Sequence, residues 1–152
     1  MNAISLYRVA RWMYLHKIPF VPKVIKLIIF LIFNSSIPYQ ADIGRNTKCA
    51  YMGIGVVIHK RVVIGENGYI GPQVTIGGRS NKKGVPIIGN NVFLASGCKI
   101  LGDINIGDNV IVGANAVVIK SVPDNCSVAG VPARIIKENI DIYEYCNLDR
   151  VR

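Results

Sequence analysis

The sequence predicts an all-β fold built as a solenoid, short strands wound end over end around one aliphatic column, and three observations predict it. From Ile58 onward an aliphatic residue returns at every sixth position, through Ile64, Ile70 and Ile76, then through Ile88, Leu94, Ile100, Ile106, Val112 and Val118. The residue that follows is small in most of these hexads, as at Gly65, Gly71, Gly77, Gly89, Ala95, Gly107 and Gly113. Composition agrees, because 51% of the 152 residues are hydrophobic while only 8% are aromatic, which describes a core of branched aliphatics rather than stacked rings. Neither an α-helix nor an alternating strand repeats every six residues, so the period reports a larger cycle of strand plus turn. One such unit cannot bury its aliphatic face alone. Stacked units put every repeated Ile or Val into a common interior, with Gly or Asn accepting the corner conformations.

The length suits one domain, so a site must be built on one scaffold or between copies of it. Lys and Arg outnumber Asp and Glu by 18 to 9, which favours an anionic partner: a phosphorylated cofactor, an acidic lipid surface or nucleic acid. No helix-turn-helix, RNA-binding signature or aromatic platform accompanies the charge, and nucleic acid is the least expected of these. Cys49, Cys98, Cys126 and Cys146 are widely spaced, with no C-x-x-C pair and no histidine at ligand spacing, so no metal is expected. The first apolar stretch carries Arg8, Arg11, His16 and Lys17 and has no small-residue cleavage site, so it does not read as a signal peptide, and the expected compartment is the cytoplasm.

Three segments follow: an N-terminal helical segment over 1–36, the repeat over 37–137, and a tail over 138–152. Within the first, residues 4–16 place Leu6, Val9, Ala10 and Met13 on one helical face and Arg8 and Arg11 on another. Pro19 and Pro22 interrupt the chain, and a second helix is expected from Lys23 to Phe33, too short to span a bilayer of about 30 Å. It is expected to pack on the solenoid or a neighbouring subunit. A basic, apolar element of this kind also suits peripheral contact with the inner face of a membrane. The repeat breaks twice. Residues 78–86, Gly-Arg-Ser-Asn-Lys-Lys-Gly-Val-Pro, read as an extruded loop, and between Ile43 and Ile58 the run Tyr51-Met52-Gly53-Ile54-Gly55 disturbs the register.

The stretches VTIGG, CKILGDI, IVGANAVV and AGVPARII are the most specific part of the chain, within a region from Gly55 to Ile136. They resemble the hexapeptide-repeat transferases, in the serine acetyltransferase branch with its polysaccharide-modifying relatives. The resemblance implies a left-handed parallel β-helix, a homotrimer, and acetyl transfer from acetyl-CoA to a hydroxyl.

Such a transfer needs a base to take the alcohol proton, and histidine fits best near neutral pH. Of the two present, His16 lies in the basic N-terminal helix and His59 lies at a corner of the repeat, directly after Ile58. His59 is therefore the expected base. Asp42 resembles the acidic residue that orients the family's histidine; Glu66 is expected to face solvent. Small corner residues, Gly77, Gly78, Ala95, Gly97 and Ala114, could let a pantetheine arm lie along the coils. Gly77 or Gly78 could also offer an N–H to the oxyanion. The resemblance implies that Lys120 and Arg134 stand near the CoA phosphates. In serine acetyltransferases the catalytic histidine aligns with Met52 and a serine-binding histidine with Val85, and both are missing here. The run YMGIGVVIH resembles instead the variant found among capsule and lipopolysaccharide acetyltransferases, and that resemblance implies a sugar hydroxyl of such a precursor as the expected acceptor. Serine O-acetylation and a non-catalytic β-helix scaffold are the competing readings.

Overall fold

The structure, a computed structural model, describes residues 2–146. Two helices open the chain, α1 (Ala3–Leu15) and α2 (Val21–Phe33). Twelve short strands follow: β1 (Asp42–Ile43), β2 (Lys48–Cys49), β3 (Val57–Ile58), β4 (Val63–Ile64), β5 (Tyr69–Ile70), β6 (Thr75–Gly77), β7 (Ile87–Ile88), β8 (Phe93–Leu94), β9 (Lys99–Leu101), β10 (Asn105–Ile106), β11 (Ile111–Val112) and β12 (Val117–Val118). A hairpin of β13 (Ser127–Gly130) and β14 (Ala133–Lys137) and a last turn of helix, α3 (Ile142–Cys146), complete it.

The strands stack into the three faces of a prism, ordered β1-β4-β7-β10, β14-β13-β11-β8-β5-β2 and β12-β9-β6-β3, and all pairs except β13–β14 are parallel. Each of the short strands points its second residue inward, so the hexad aliphatics form the column: Ile58, Ile64, Ile70, Ile76, Ile88, Leu94 and Ile100 are all buried. The residue two places earlier in each hexad is buried as well, as at Val56, Val62, Val74, Val92 and Val110.

One corner displays the coil length directly. Asn46, Asn67, Asn91, Asn109 and Asn125 all adopt positive φ, and their side-chain amides bond in a ladder at 3.2, 3.2, 3.0 and 2.9 Å. The rungs are separated by 21, 24, 18 and 16 residues. Asparagine suits this corner because its short polar side chain tolerates the left-handed region and can reach the next coil. A full coil takes 18 residues, and the two longer steps carry the two breaks seen in the sequence. The first is a 3-residue 3-10 turn, Tyr51–Gly53, and the second is the loop after β6. Since the extra residues are extruded, Cys49 keeps its place on the column.

The first coil would expose its aliphatic end to water, and the helices cover it. The buried stripe of α1 is Ala3, Ile4, Tyr7 and Ala10. The expected face, Leu6, Val9, Ala10 and Met13, is rotated relative to this one, and Val9 is exposed. The arginines cause the difference. Arg8 donates to Gly44 O at 2.8 Å and Arg11 to Gln40 O at 3.1 Å, so both sit against the first coil rather than on a solvated face, where they satisfy carbonyls that no coil below can. The Tyr7 hydroxyl donates to Ala41 O at 2.7 Å. Pro22 starts α2 instead of interrupting the chain, because the first turn of a helix has no use for its missing N–H. At the other end Ile140 and Ile142 pack on Ile111 and Phe93, so part of the expected tail covers the six-stranded face; residues 147–152 lie outside the described residues.

Burial pushes the thiols of Cys49 and Cys98 from 9.0 up to about 12. A folded-state value above the unfolded one leaves stability untouched below pH 9 and removes it as pH climbs towards 12, because only the unfolded chain releases those protons. At about pH 10.5 the two thiols together should cost about 4 kcal/mol. Urea midpoints taken at rising pH check this: the alkaline loss should shrink in Cys49→Ala with Cys98→Ala.

Candidate active site

The face β12-β9-β6-β3 is bounded by two corners, and the candidate residues divide between them. His59 follows β3 and stacks beneath Gly77 at the end of β6, its N–H bonding to Ile76 O at 2.9 Å. Gly102 lies one coil above, with its N–H on Gly77 O, and Lys120 follows β12 at the top of the same corner. The loop 78–86 leaves from this corner, directly above His59.

Ala95, Gly97 and Ala114 occupy the opposite corner, where the chain passes from β8 to β9 and from β11 to β12. Arg134 faces Ala129 across the terminal hairpin. The strained turn Tyr51–Gly53 is at the foot of this second corner, with Tyr51 and Met52 both at positive φ and both exposed.

The glycines are not equivalent. A Cβ on Gly97 would meet Asn115 Oδ1 at 2.1 Å, and its φ is +74, so turn geometry accounts for it. A Cβ on Gly77 would meet only the His59 Cβ, at 3.9 Å, and one on Gly78 would meet nothing within 4 Å. Neither backbone is left-handed. The fold makes no steric demand for glycine at these two places, and glycine there leaves open space against the His59 corner.

The expected orienting pair is not formed. Asp42 lies on β1, one coil below Val63, and its carboxylate pairs with Arg11 at 2.8 Å. The ring of His59 takes its hydrogen bond from the backbone instead: the Arg61 N–H donates to Nδ1 at 3.2 Å. A neutral ring held this way has its proton on Nε2. Arg61 also anchors the loop, donating from its guanidinium to Lys83 O at 2.8 Å. Arg61 has no mark in the sequence beyond its place two residues after His59, which no periodicity singles out. Lys60, Arg79, Lys82 and Lys83 are exposed on the same corner and loop, with Lys120 above, making a basic rim. Glu66 is exposed, as expected, and His16 is exposed with its ring against Trp12 at 4.2 Å. Among the described residues no three His, Cys, Asp or Glu side chains group so as to hold a metal ion.

Residues 86–120 match the bacterial transferase hexapeptide (six repeats) family. That stretch, from β7 to β12, carries the family's hexapeptide repeat. A serine acetyltransferase of Synechococcus elongatus is 36% identical over 137 residues, covering 89% of this chain and 56% of that one. One of Bacillus pumilus is 35% identical over 141 residues, covering 91% and 64%. The hexapeptide-repeat chain thus spans between half and two thirds of these relatives' length. Among solved structures, serine acetyltransferase from Brucella abortus superposes with a TM-score of 0.84 at 35% identity, over 90% of this chain and 56% of that one; a second structure of that enzyme is in complex with coenzyme A. A mirror-image coil could not superpose so closely, so the hexapeptide-repeat protein is the expected left-handed parallel β-helix.

Proposed function

We propose that this hexapeptide-repeat protein moves an acetyl group from acetyl-CoA to a hydroxyl, and that the acceptor is serine. One observation carries the first half: two glycines that packing does not require leave open space beside the histidine of the β-helix, under a rim of lysines and arginines. A thioester arm fits such a gap, and the basic rim suits the phosphates of its nucleotide end. The bound coenzyme A in the Brucella abortus relative supports the same reading. For the acceptor, the relatives favour serine over the sugar expected from Met52 and Val85, since the two described above are named serine acetyltransferases. The assembly proposed is a homotrimer, in which the His59 corner of one protomer meets the Ala95 and Ala114 corner of the next.

His59 serves as base in this proposal. Taking a proton on Nε2 requires the other tautomer, with hydrogen on Nδ1, and that change gives up the bond from Arg61. At 3.2 Å and exposed, such a bond is worth ~1 kcal/mol. A base contributes about 3–5 kcal/mol to the rate, so the exchange is affordable. The acceptor oxygen then attacks the thioester carbonyl carbon as its proton passes to Nε2. When the carbon–sulfur bond breaks, the imidazolium returns that proton to the sulfur, releasing free CoA and an O-acetyl ester. The N–H of Gly78 is the proposed donor to the carbonyl oxygen during the attack.

The test is thiol release from acetyl-CoA with L-serine and with a panel of sugars as acceptors. Release with serine above every sugar supports the proposal. Release with a sugar and none with serine restores the polysaccharide reading, and failure to bind CoA at millimolar concentration leaves a non-catalytic scaffold.

A further inference from the structure

The helical cap has an inner side that the fold explains and an outer side that it does not. The inner stripe of α2 is Pro22, Ile29 and Phe33, with Ile25 packed against the core. An ordinary surface helix carries polar residues opposite such a stripe. Here the opposite side carries Val24, Leu27 and Leu31, continued by Phe20 before the helix and by Trp12 and Leu15 on α1, with Phe20 74% and Leu31 70% exposed. Because α1 and α2 both pack inward on the first coil, these residues form one apolar surface across the end of the prism.

Its charge identifies its partner. Residues 1–41 contain no Asp or Glu, and Asp42, the first acid, is bound to Arg11. Lys17, Lys23 and Lys26 are exposed at the border of the apolar surface. Beside α2 a cleft of about 570 Å³ has Lys23, Lys26, Ser36 and Tyr39 among its walls, together with Leu27 and Phe30. Ammonium and hydroxyl groups next to aliphatic walls match the phosphate and first carbons of a phospholipid. A second copy of the same surface would oppose lysine to lysine with no acid to relieve it. At 13 residues α2 is about 20 Å long, short of the ~30 Å hydrocarbon layer, so it can lie on a bilayer and cannot cross it.

We propose that the outer surface of the α1–α2 cap docks on an anionic phospholipid bilayer, its apolar side chains entering the interface and its lysines meeting the head groups. This is independent of the catalytic proposal, and its test does not use activity. The full chain is sedimented with vesicles of phosphatidylglycerol and phosphatidylcholine in equal parts, and with vesicles of phosphatidylcholine alone. Binding to the first should exceed binding to the second by at least about tenfold, roughly fivefold for each lysine engaged, and should weaken as salt rises. The single tryptophan, Trp12, should blue-shift its emission on the anionic vesicles only.

Leu27→Ser with Leu31→Ser should lower anionic-vesicle binding at least about tenfold. Its thermal melt should stay unchanged, because both side chains lie outside the core. Lys23→Glu with Lys26→Glu should remove the preference for phosphatidylglycerol. Failure to bind either vesicle, equal binding to both, or binding indifferent to the leucine pair overturns the proposal. A chain that ignores vesicles and self-associates in sedimentation, with the assembly dissolved by the leucine pair, assigns the surface to a second copy and overturns it as well.

Discussion

Replacing His59 with glutamine is expected to lower kcat/KM for acetyl transfer by about 10²–10⁴, with the affinity for CoA within about twofold of the parent. Glutamine fills the space of the ring and can still donate a hydrogen bond, but it cannot take a proton. The distinction matters because the resting ring, with Nδ1 occupied by the Arg61 N–H, presents a donor at Nε2. If glutamine sustains turnover and alanine does not, the ring acts as a donor to the carbonyl oxygen and the base is another group. Asp42→Ala is the companion measurement. Its carboxylate is mostly exposed and bound to Arg11, so its loss should cost at most ~1 kcal/mol of stability and leave kcat/KM within about twofold. A loss of activity as large as that of the His59 variant would give Asp42 a role that its contacts do not suggest.

A methyl group added at Gly65 is expected to lower stability sharply. A Cβ there would lie 2.5 Å from Asn90 Oδ1 and 2.6 Å from the backbone oxygen of Gly89, and a backbone in mid-coil cannot step aside without parting the coils. Gly65→Ala should therefore cost about 3 kcal/mol, a fall in melting temperature of roughly 6–12 °C. Gly78→Ala makes the contrast, because its Cβ would meet nothing within 4 Å. That variant should melt with the parent and show its defect in KM for acetyl-CoA. Equal melting of all three proteins would remove the argument that Gly65 is held by packing and Gly78 by a ligand.

Much of this was legible in the sequence because a solenoid is nearly one-dimensional. The six-residue spacing of Ile58, Ile64, Ile70 and Ile76 states which side chains face inward without reference to distant residues, and both breaks were visible as losses of that spacing. The site was less legible. His59, Gly77, Gly78 and Lys120 could each be picked out, but 61 residues separate the first from the last, and only the stacking of coils shows that they share one corner. The asparagine ladder was hidden for the same reason: its rungs are separated by 21, 24, 18 and 16 residues, so no fixed period reveals them.

The chain's own order of residues determined the solenoid, its aliphatic column, its extruded segments and its one well-placed histidine, since each follows from spacing along the backbone. The tertiary structure decided which polar groups meet. It turned α1 so that Arg8 and Arg11 serve the open first coil, gave Asp42 to Arg11, gave the Nδ1 of His59 to a backbone N–H, and left an apolar surface on the outer side of the cap. Those outcomes depend on how a helix docks on the end of a coil and on how far each extruded segment shifts the stack. A local period contains neither.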